Sequence, residues 1–220
     1  MWRERVEGMM ETAKEGLFLT LEGIDGFGKS TQAGRLASWL RERGPRRPVL
    51  WTREPGGWPG GADFRERILR GQWEHPWSEV FLFLADRCEH VLREILPALA
   101  RGEQVLCERY HDSTLAYQSF GRGLPLEALR RFSRDCRFPL PHRTLLLDLP
   151  VEDALRRLQQ REGAADRLEG EGRPFLERVR RGFLCLAEAE PERYAVVDAR
   201  GDEEQVFARL CRAVEERTLP

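Results

Sequence analysis

Lysine is almost missing from this chain. Lys14 and Lys29 are the only two among 36 basic side chains, and arginine supplies the rest. A codon bias explains such a skew, so a lysine that persists inside a motif stands out. No apolar run nears the ~20 residues that a membrane span needs. The formal net charge is −1, and no global basic field argues for a nucleic-acid polymer as partner. The five cysteines are odd in number and show no C-x-x-C spacing, which suggests neither a disulfide framework nor a zinc site. Most fall in apolar patterns and read as small buried hydrophobes. Met1 to Glu15 is charged and lacks the apolar core of an export signal, so a cytoplasmic protein is expected. Repeats, low-complexity tracts and composition shifts are absent too, which leaves no sign of a second domain. The expected organisation is an extension over 1–15, with no function assigned, and one domain over 16–220.

What is present fits a globular enzyme-sized domain: 220 residues, 41% of them hydrophobic and 33% charged. Strand and helix patterns alternate. Strands are expected at Leu17–Glu22, Pro48–Thr52, Gln104–Cys107, Arg143–Leu149 and Tyr194–Val197. Helices are expected at Ser30–Arg43, Asp63–Arg70, Glu79–Ala100, Ser113–Phe120, Leu126–Arg134, Val151–Glu162, Phe175–Glu190 and Glu203–Glu216, with a loop over 53–61. The run Leu145-Leu146-Leu147 suits a strand covered on both faces. The expected fold is α/β, a five-stranded parallel sheet with helices on both faces and a short lid near 157–172. Ligands then gather at the carboxyl ends of the strands.

The organising stretch is Gly23-Ile24-Asp25-Gly26-Phe27-Gly28-Lys29-Ser30, a G-x-x-x-x-G-K-S pattern between a strand and a helix. Gly23 and Gly28 let the backbone turn tightly around an anion. The loop amides and the helix N-terminus attract phosphate, Lys29 reaches the β- and γ-phosphates, and the Ser30 hydroxyl suits Mg²⁺. The pattern points to a nucleoside triphosphate with Mg²⁺, but not to the fate of the γ-phosphate. Gly26 leaves this loop without an arginine, so transition-state charge has to come from elsewhere.

Four further groups follow strand ends or lie near them. Thr52-Arg53-Glu54-Pro55-Gly56-Gly57 reads as a turn or as a site, because a turn needs no Arg-Glu pair. Phe83 and Arg87 share a helix face, beside Asp86 and His90. They suit a planar base, or else a core ring beside a solvated pair. Glu108-Arg109-Tyr110, then Ser113, Thr114, Tyr117 and Gln118, offer an arginine clamp for a second phosphate, or a surface cap. Arg156, Arg157, Arg161 and Arg167 supply charge over the phosphates, or form a solvated face.

Taken in this order, these segments resemble the thymidylate kinase family of nucleoside monophosphate kinases over roughly residues 17–200. T-R-E-P-G-G stands intact at Thr52–Gly57. The family's L-F-x-A-D-R-x-x-H is met at Leu82–His90, and its D-R-Y-x-x-S-x-x-A-Y-Q at Glu108–Gln118, with Glu108 where the family has Asp. The lid pattern lies at Arg157, Arg161 and Asp166–Glu169. The resemblance implies transfer from ATP to dTMP with Mg²⁺, in dTTP synthesis, by a homodimer. It implies that Gly23 to Thr31 bind ATP, Thr31 included, and that Ser30 and Glu108 serve the metal. It makes Lys29, Arg157, Arg161 and Arg167 the catalytic set. For dTMP it implies Asp25 at the 3′-hydroxyl, Glu54 with a cis peptide to Pro55 at the sugar, and Arg65 and Arg109 at the phosphate. Phe83 would stack on thymine, Arg87 bond its carbonyl, Thr114 and Gln118 read the base edge, and Tyr117 crowd the 2′ position, with Ser113 also among the dTMP-binding residues. A kinase for another deoxynucleotide or nucleoside, and a nucleotide binder without turnover, stay open on the sequence.

Overall fold

The computed structural model describes residues 2–12, 16–26, 28–44, 47–160 and 171–218. Its five strands are β1 (Leu17–Glu22), β2 (Val49–Arg53), β3 (Gln104–Glu108), β4 (Arg143–Asp148) and β5 (Tyr194–Asp198). They form one sheet in the order β2-β3-β1-β4-β5, every pair parallel. The inner strands β1, β3 and β4 are buried almost throughout, whereas the edge strands β2 and β5 are only partly buried. That contrast is the pattern expected when helices cover both faces of a parallel sheet. From β1 the chain crosses to β2 and β3 on one side, and later to β4 and β5 on the other. The switch point therefore lies at the carboxyl end of β1, where a ligand crevice is expected.

The helices are α1 (Trp2–Thr12), α2 (Lys29–Arg43), α3 (Gly61–Arg70), α4 (Pro76–His90), α5 (Leu96–Ala100), α6 (His111–Thr114), α7 (Leu126–Asp135), α8 (Val151–Gln159), α9 (Arg173–Ala189) and α10 (Glu203–Thr218). Residues 1–15 read as an extension, yet α1 docks on α5 and Val6 joins the common core.

Two expected helices differ in kind. Glu79–Ala100 begins earlier, at Pro76, where the His75 ring accepts the Trp77 amide at 3.3 Å. Its middle, Val91–Ile95, is π-helical, with the Leu96 amide bonded back to Val91. Pro97 follows directly and has no N–H for an α-helical bond, so the ladder slips by one residue ahead of it. The expected helix Ser113–Phe120 starts at His111, and Leu115–Gly121 is π-helical. The loop over 53–61 is shorter than expected, since Arg53 ends β2 and Gly61 opens α3. The described part of the helix expected over Val151–Glu162 ends at Gln159, with 161–162 outside the described residues.

His111 is buried at the start of α6, its Nδ1 2.8 Å from the Ser133 hydroxyl of α7. Burial lowers its pKa from 6.5 to about 4, against the pull of Asp112. The folded imidazole stays neutral where the unfolded one protonates. Its contribution is complete above pH 6.5 and is lost as pH falls through 4. We expect this to remove up to about 3 kcal/mol of stability. Unfolding midpoints of wild type and His111→Gln between pH 7 and 4 check it: the variant should lose less than the wild type.

Candidate active site

The phosphate loop forms because β1 ends against glycines in conformations that side chains resist. Gly23, Gly26 and Gly28 have φ of 137°, 93° and 67°. Gly28 is the N-cap of α2, and nothing lies within 4 Å of where its Cβ would be. At Gly26 the reverse holds: a Cβ would stand 2.4 Å from the Ala154 carbonyl oxygen of α8. Ile24 points into the core, whereas Ser30 and Thr31 are exposed. Lys29 folds back on the loop, its Nζ 3.2 Å from the Gly23 carbonyl, 2.5 Å from that of Ile24 and 3.7 Å from Asp25 Oδ1. Burial, helped by Arg109, lowers its pKa to about 8 despite Asp25. Phe27 lies outside the described residues.

Opposite this loop, two sequence motifs interlock. Asp86, Arg87 and His90 project from one side of α4 and hold the turn after β2. Asp86 accepts the Gly56 amide at 3.0 and 3.1 Å and the Trp58 indole N–H at 2.8 Å. Arg87 Nε donates to Glu54 Oε2 at 2.7 Å, while Glu54 Oε1 meets His90 Nδ1 at 3.0 Å. His90 Nε2 is 2.7 Å from the Thr52 hydroxyl. The Glu54–Pro55 peptide is cis, as expected. A Cβ on Gly57 would stand 2.2 Å from the Arg53 carbonyl oxygen, so only glycine fits the turn. Arg87 is 1% exposed, which overturns the reading of a solvated pair. Its Nη2 donates to the Tyr110 carbonyl at 3.0 Å and to Thr114 Oγ1 at 2.9 Å. Its Nη1 is buried without a hydrogen-bond partner among the described residues.

Arg109 joins the two halves. It follows β3 with φ of 61°, a left-handed turn that aims its side chain across the end of β1. Nη1 donates to the Gly23 carbonyl at 3.1 Å and the Ser113 hydroxyl at 3.0 Å. Nη2 donates to Asp25 Oδ1 at 2.6 Å and to the Tyr117 hydroxyl at 3.2 Å. Tyr117 in turn donates to Asp25 Oδ2 at 2.9 Å. Burial would raise the Asp25 pKa, but Arg109 and then Lys29 override it and hold this carboxyl well below the usual range. Beneath them, Glu22 accepts the Tyr110 amide at 2.8 Å and the Ser113 hydroxyl at 2.6 Å. Burial and Asp112 together push its pKa up to about 7.

Glu108 and Ser30 meet directly: Ser30 Oγ donates to Glu108 Oε2 at 2.7 Å, and Trp51 Nε1 donates to Oε1 at 2.9 Å. The added methylene of Glu108, relative to the family Asp, thus spans from β3 to both neighbours.

Asp25, Lys29, Ser30, Glu54, Arg65, Phe83, Arg87, Glu108, Arg109, Ser113, Thr114, Tyr117 and Gln118 line one cavity of about 1150 Å³. The donor loop and the expected acceptor residues therefore share one space. Arg65 Nη1 donates to the Pro55 carbonyl at 3.0 Å. Arg157 is not among the lining residues; its Nη2 lies 3.2 and 3.3 Å from the carbonyls of Ala199 and Gly201, after β5. Arg161 and Arg167 lie outside the described residues. Sequence reasoning left Asp86 and His90 without roles and missed Glu22, Trp51 and Glu79 entirely. The spacing of Asp86 and His90, four apart on the face of Arg87, was the available signal.

Comparison with known proteins agrees with this geometry. The sequence pattern of the family described as thymidylate kinase matches residues 21–210. The thymidylate kinase of Synechococcus sp. (strain JA-2-3B'a(2-13)) is 48% identical over 202 residues, covering 91% of this chain and 95% of that one. The thymidylate kinase of Gluconobacter oxydans (strain 621H) is 46% identical over 208 residues, covering 93% and 96%. The crystal structure of thymidylate kinase from Ehrlichia chaffeensis superposes with a TM-score of 0.73 at 30% identity, covering 90% of this chain and 98% of that one. With residues of the phosphate loop, α4 and the segment after β3 lining one cavity, and relatives matched over nearly their whole length, this chain belongs to the thymidylate kinase family.

Proposed function

We propose that the protein transfers the γ-phosphoryl group of ATP to dTMP, giving ADP and dTDP, as a step of dTTP synthesis. The observation that carries this reading is the Arg109 bridge, which ties the phosphate loop to the acceptor wall within hydrogen-bond reach. A generic triphosphate binder has no use for a second cationic clamp facing its loop. The buried, unpartnered Arg87 Nη1 suits a base carbonyl, and Phe83 beside it suits a stacked ring. Thr114 accepts from Arg87, which leaves its own O–H to donate. Tyr117, held by Asp25, crowds the place of a ribose 2′-hydroxyl. Asp25, Glu54, Arg65, Arg109, Ser113 and Gln118 complete the acceptor side.

Gly23 to Thr31 hold the triphosphate. Little covalent work falls to the protein in such a transfer; positioning and charge neutralisation supply the acceleration. Lys29 leaves its own loop carbonyls for phosphate oxygens, and Arg109 orients the acceptor phosphate. Arg157 adds charge from α8, a role supported by the contact of that helix with Gly26. Arg161 and Arg167 are assigned the same role from the resemblance. Among the described residues no group of three or more His, Cys, Asp or Glu could hold a metal alone. The Ser30–Glu108 pair fits Mg²⁺ arriving with the nucleotide, since hard oxygen donors and few protein ligands are what that ion takes beside phosphates. Bound there, Mg²⁺ would neutralise phosphate charge.

We read the protein as a cytoplasmic homodimer. Phe81 on α4 is 54% exposed and lies against Trp77 and Phe132, an apolar surface of the sort that pairs with a second copy. Light scattering should give twice the 25.5 kDa chain mass, and Phe81→Glu should give the monomer; a monomeric wild type refutes this part.

A coupled assay with ATP and dTMP, with dUMP and dCMP beside it, tests the activity. Turnover of another nucleotide but not dTMP would overturn the reading. Lys29→Ala should lower kcat by at least ~100-fold. ATP binding should also take up a proton near pH 8, because phosphate raises the depressed Lys29 pKa. Calorimetry in buffers of different ionisation enthalpy should read about half a proton per site there. In Lys29→Arg, always charged, the uptake should vanish.

A further inference from the structure

Gln118 lines the proposed acceptor side of the cavity with an amide whose two ends look alike in shape and differ in chemistry. Gln118 is 1% exposed, and its Nε2 donates to Glu79 Oε1 at 2.5 Å. Glu79, 2% exposed on α4, accepts Arg122 Nη2 through Oε2 at 3.4 Å. Arg122 is also paired with Glu171 at 2.6 Å and lies over the Phe175 ring. An ionised carboxylate only accepts, so Glu79 fixes which end of the amide it meets. The other end, Oε1, meets no donor among the described residues and is not one of the buried unpartnered atoms. It opens on the cavity that Gln118 lines with Phe83, Arg87 and Thr114.

We propose that Glu79 is a specificity-positioning residue, which locks the Gln118 amide with its oxygen toward the acceptor base. The cavity wall then holds a permanent donor, the buried and unpartnered Arg87 Nη1, on the Arg87 side and an acceptor, Gln118 Oε1, on the other. Thymine and uracil match that order with a carbonyl and a ring N–H. Cytosine offers the reverse, an amino group and a ring lone pair, and meets donor with donor and lone pair with lone pair. Sites built around such buried polar groups reject a mismatched partner strongly. Turned the other way, the amide would donate to the cytosine ring nitrogen, and half of the discrimination would go.

The proposal rests on the dTMP kinase reading, which wild-type turnover of dTMP tests separately. Its own test is the ratio of the dCMP inhibition constant to the dTMP KM, with kcat followed alongside. In Glu79→Gln the two amides can flip together. The ratio should fall at least ~10-fold, through a higher KM for dTMP and tighter dCMP, with kcat changed far less. Glu79→Asp, still an obligate acceptor, should keep the ratio closer to wild type. The exchange Glu79→Gln with Gln118→Glu again turns an accepting oxygen to the base and should restore the preference for dTMP. An unchanged ratio in Glu79→Gln that binds ATP normally overturns the proposal. If that variant does not bind ATP, an exchange variant that prefers dCMP overturns it.

Discussion

The site depends on one half-buried guanidinium, 19% exposed. Arg109 sits where burial alone would favour losing its proton, and it keeps its charge because Asp25, Tyr117 and Glu22 outweigh that cost. Leaving such a charge unpaired is far more expensive than pairing it. Asp25, the loop carbonyl of Gly23 and the hydroxyls of Ser113 and Tyr117 are therefore obliged to converge on it. The backbone contributes by turning Arg109 into the left-handed region at the end of β3, a conformation that is uncommon for a side chain of this size. Donor loop and acceptor wall are thus aligned by electrostatics before either substrate arrives, which is the preorganisation that phosphoryl transfer needs.

A second layer of the same logic lies on α4. Asp86, Arg87 and His90 each occupy a polar group of the turn after β2. Neither segment stands without the other: the turn has no regular backbone ladder, and the helix face would bury unpaired charge. Glu54, which the proposed function assigns to the sugar pocket, is also the counter-charge of Arg87, which it assigns to the base. On that reading sugar and base recognition are linked through one salt bridge at 2.7 Å.

Much of this was legible in the chain. The alternation of β1 to β5 with helices follows from apolar runs and their punctuation, and the phosphate loop from four fixed positions. Where reading along the chain fell short, the cause was partners far apart in sequence. Glu79 and Gln118 are 39 residues apart, and Trp51 and Glu108 are 57 apart. Gln118 and Glu108 stood out in their motifs, but Glu79 and Trp51 looked like ordinary polar and aromatic positions locally. The π-helical turn before Pro97 was missed because apolar periodicity barely registers a slip of one residue. Arg157 rests on the carbonyls after β5, a choice among nearby acceptors that no helical spacing encodes.

The contact between Gly26 and α8 carries an implication for how such kinases diversify. A side chain at Gly26 would run into the Ala154 carbonyl and push α8 outward, taking Arg157 with it. A side chain in the loop and the helix in its present place thus exclude one another. A substitution at Gly26 has to be answered by a shift of the helix that faces it.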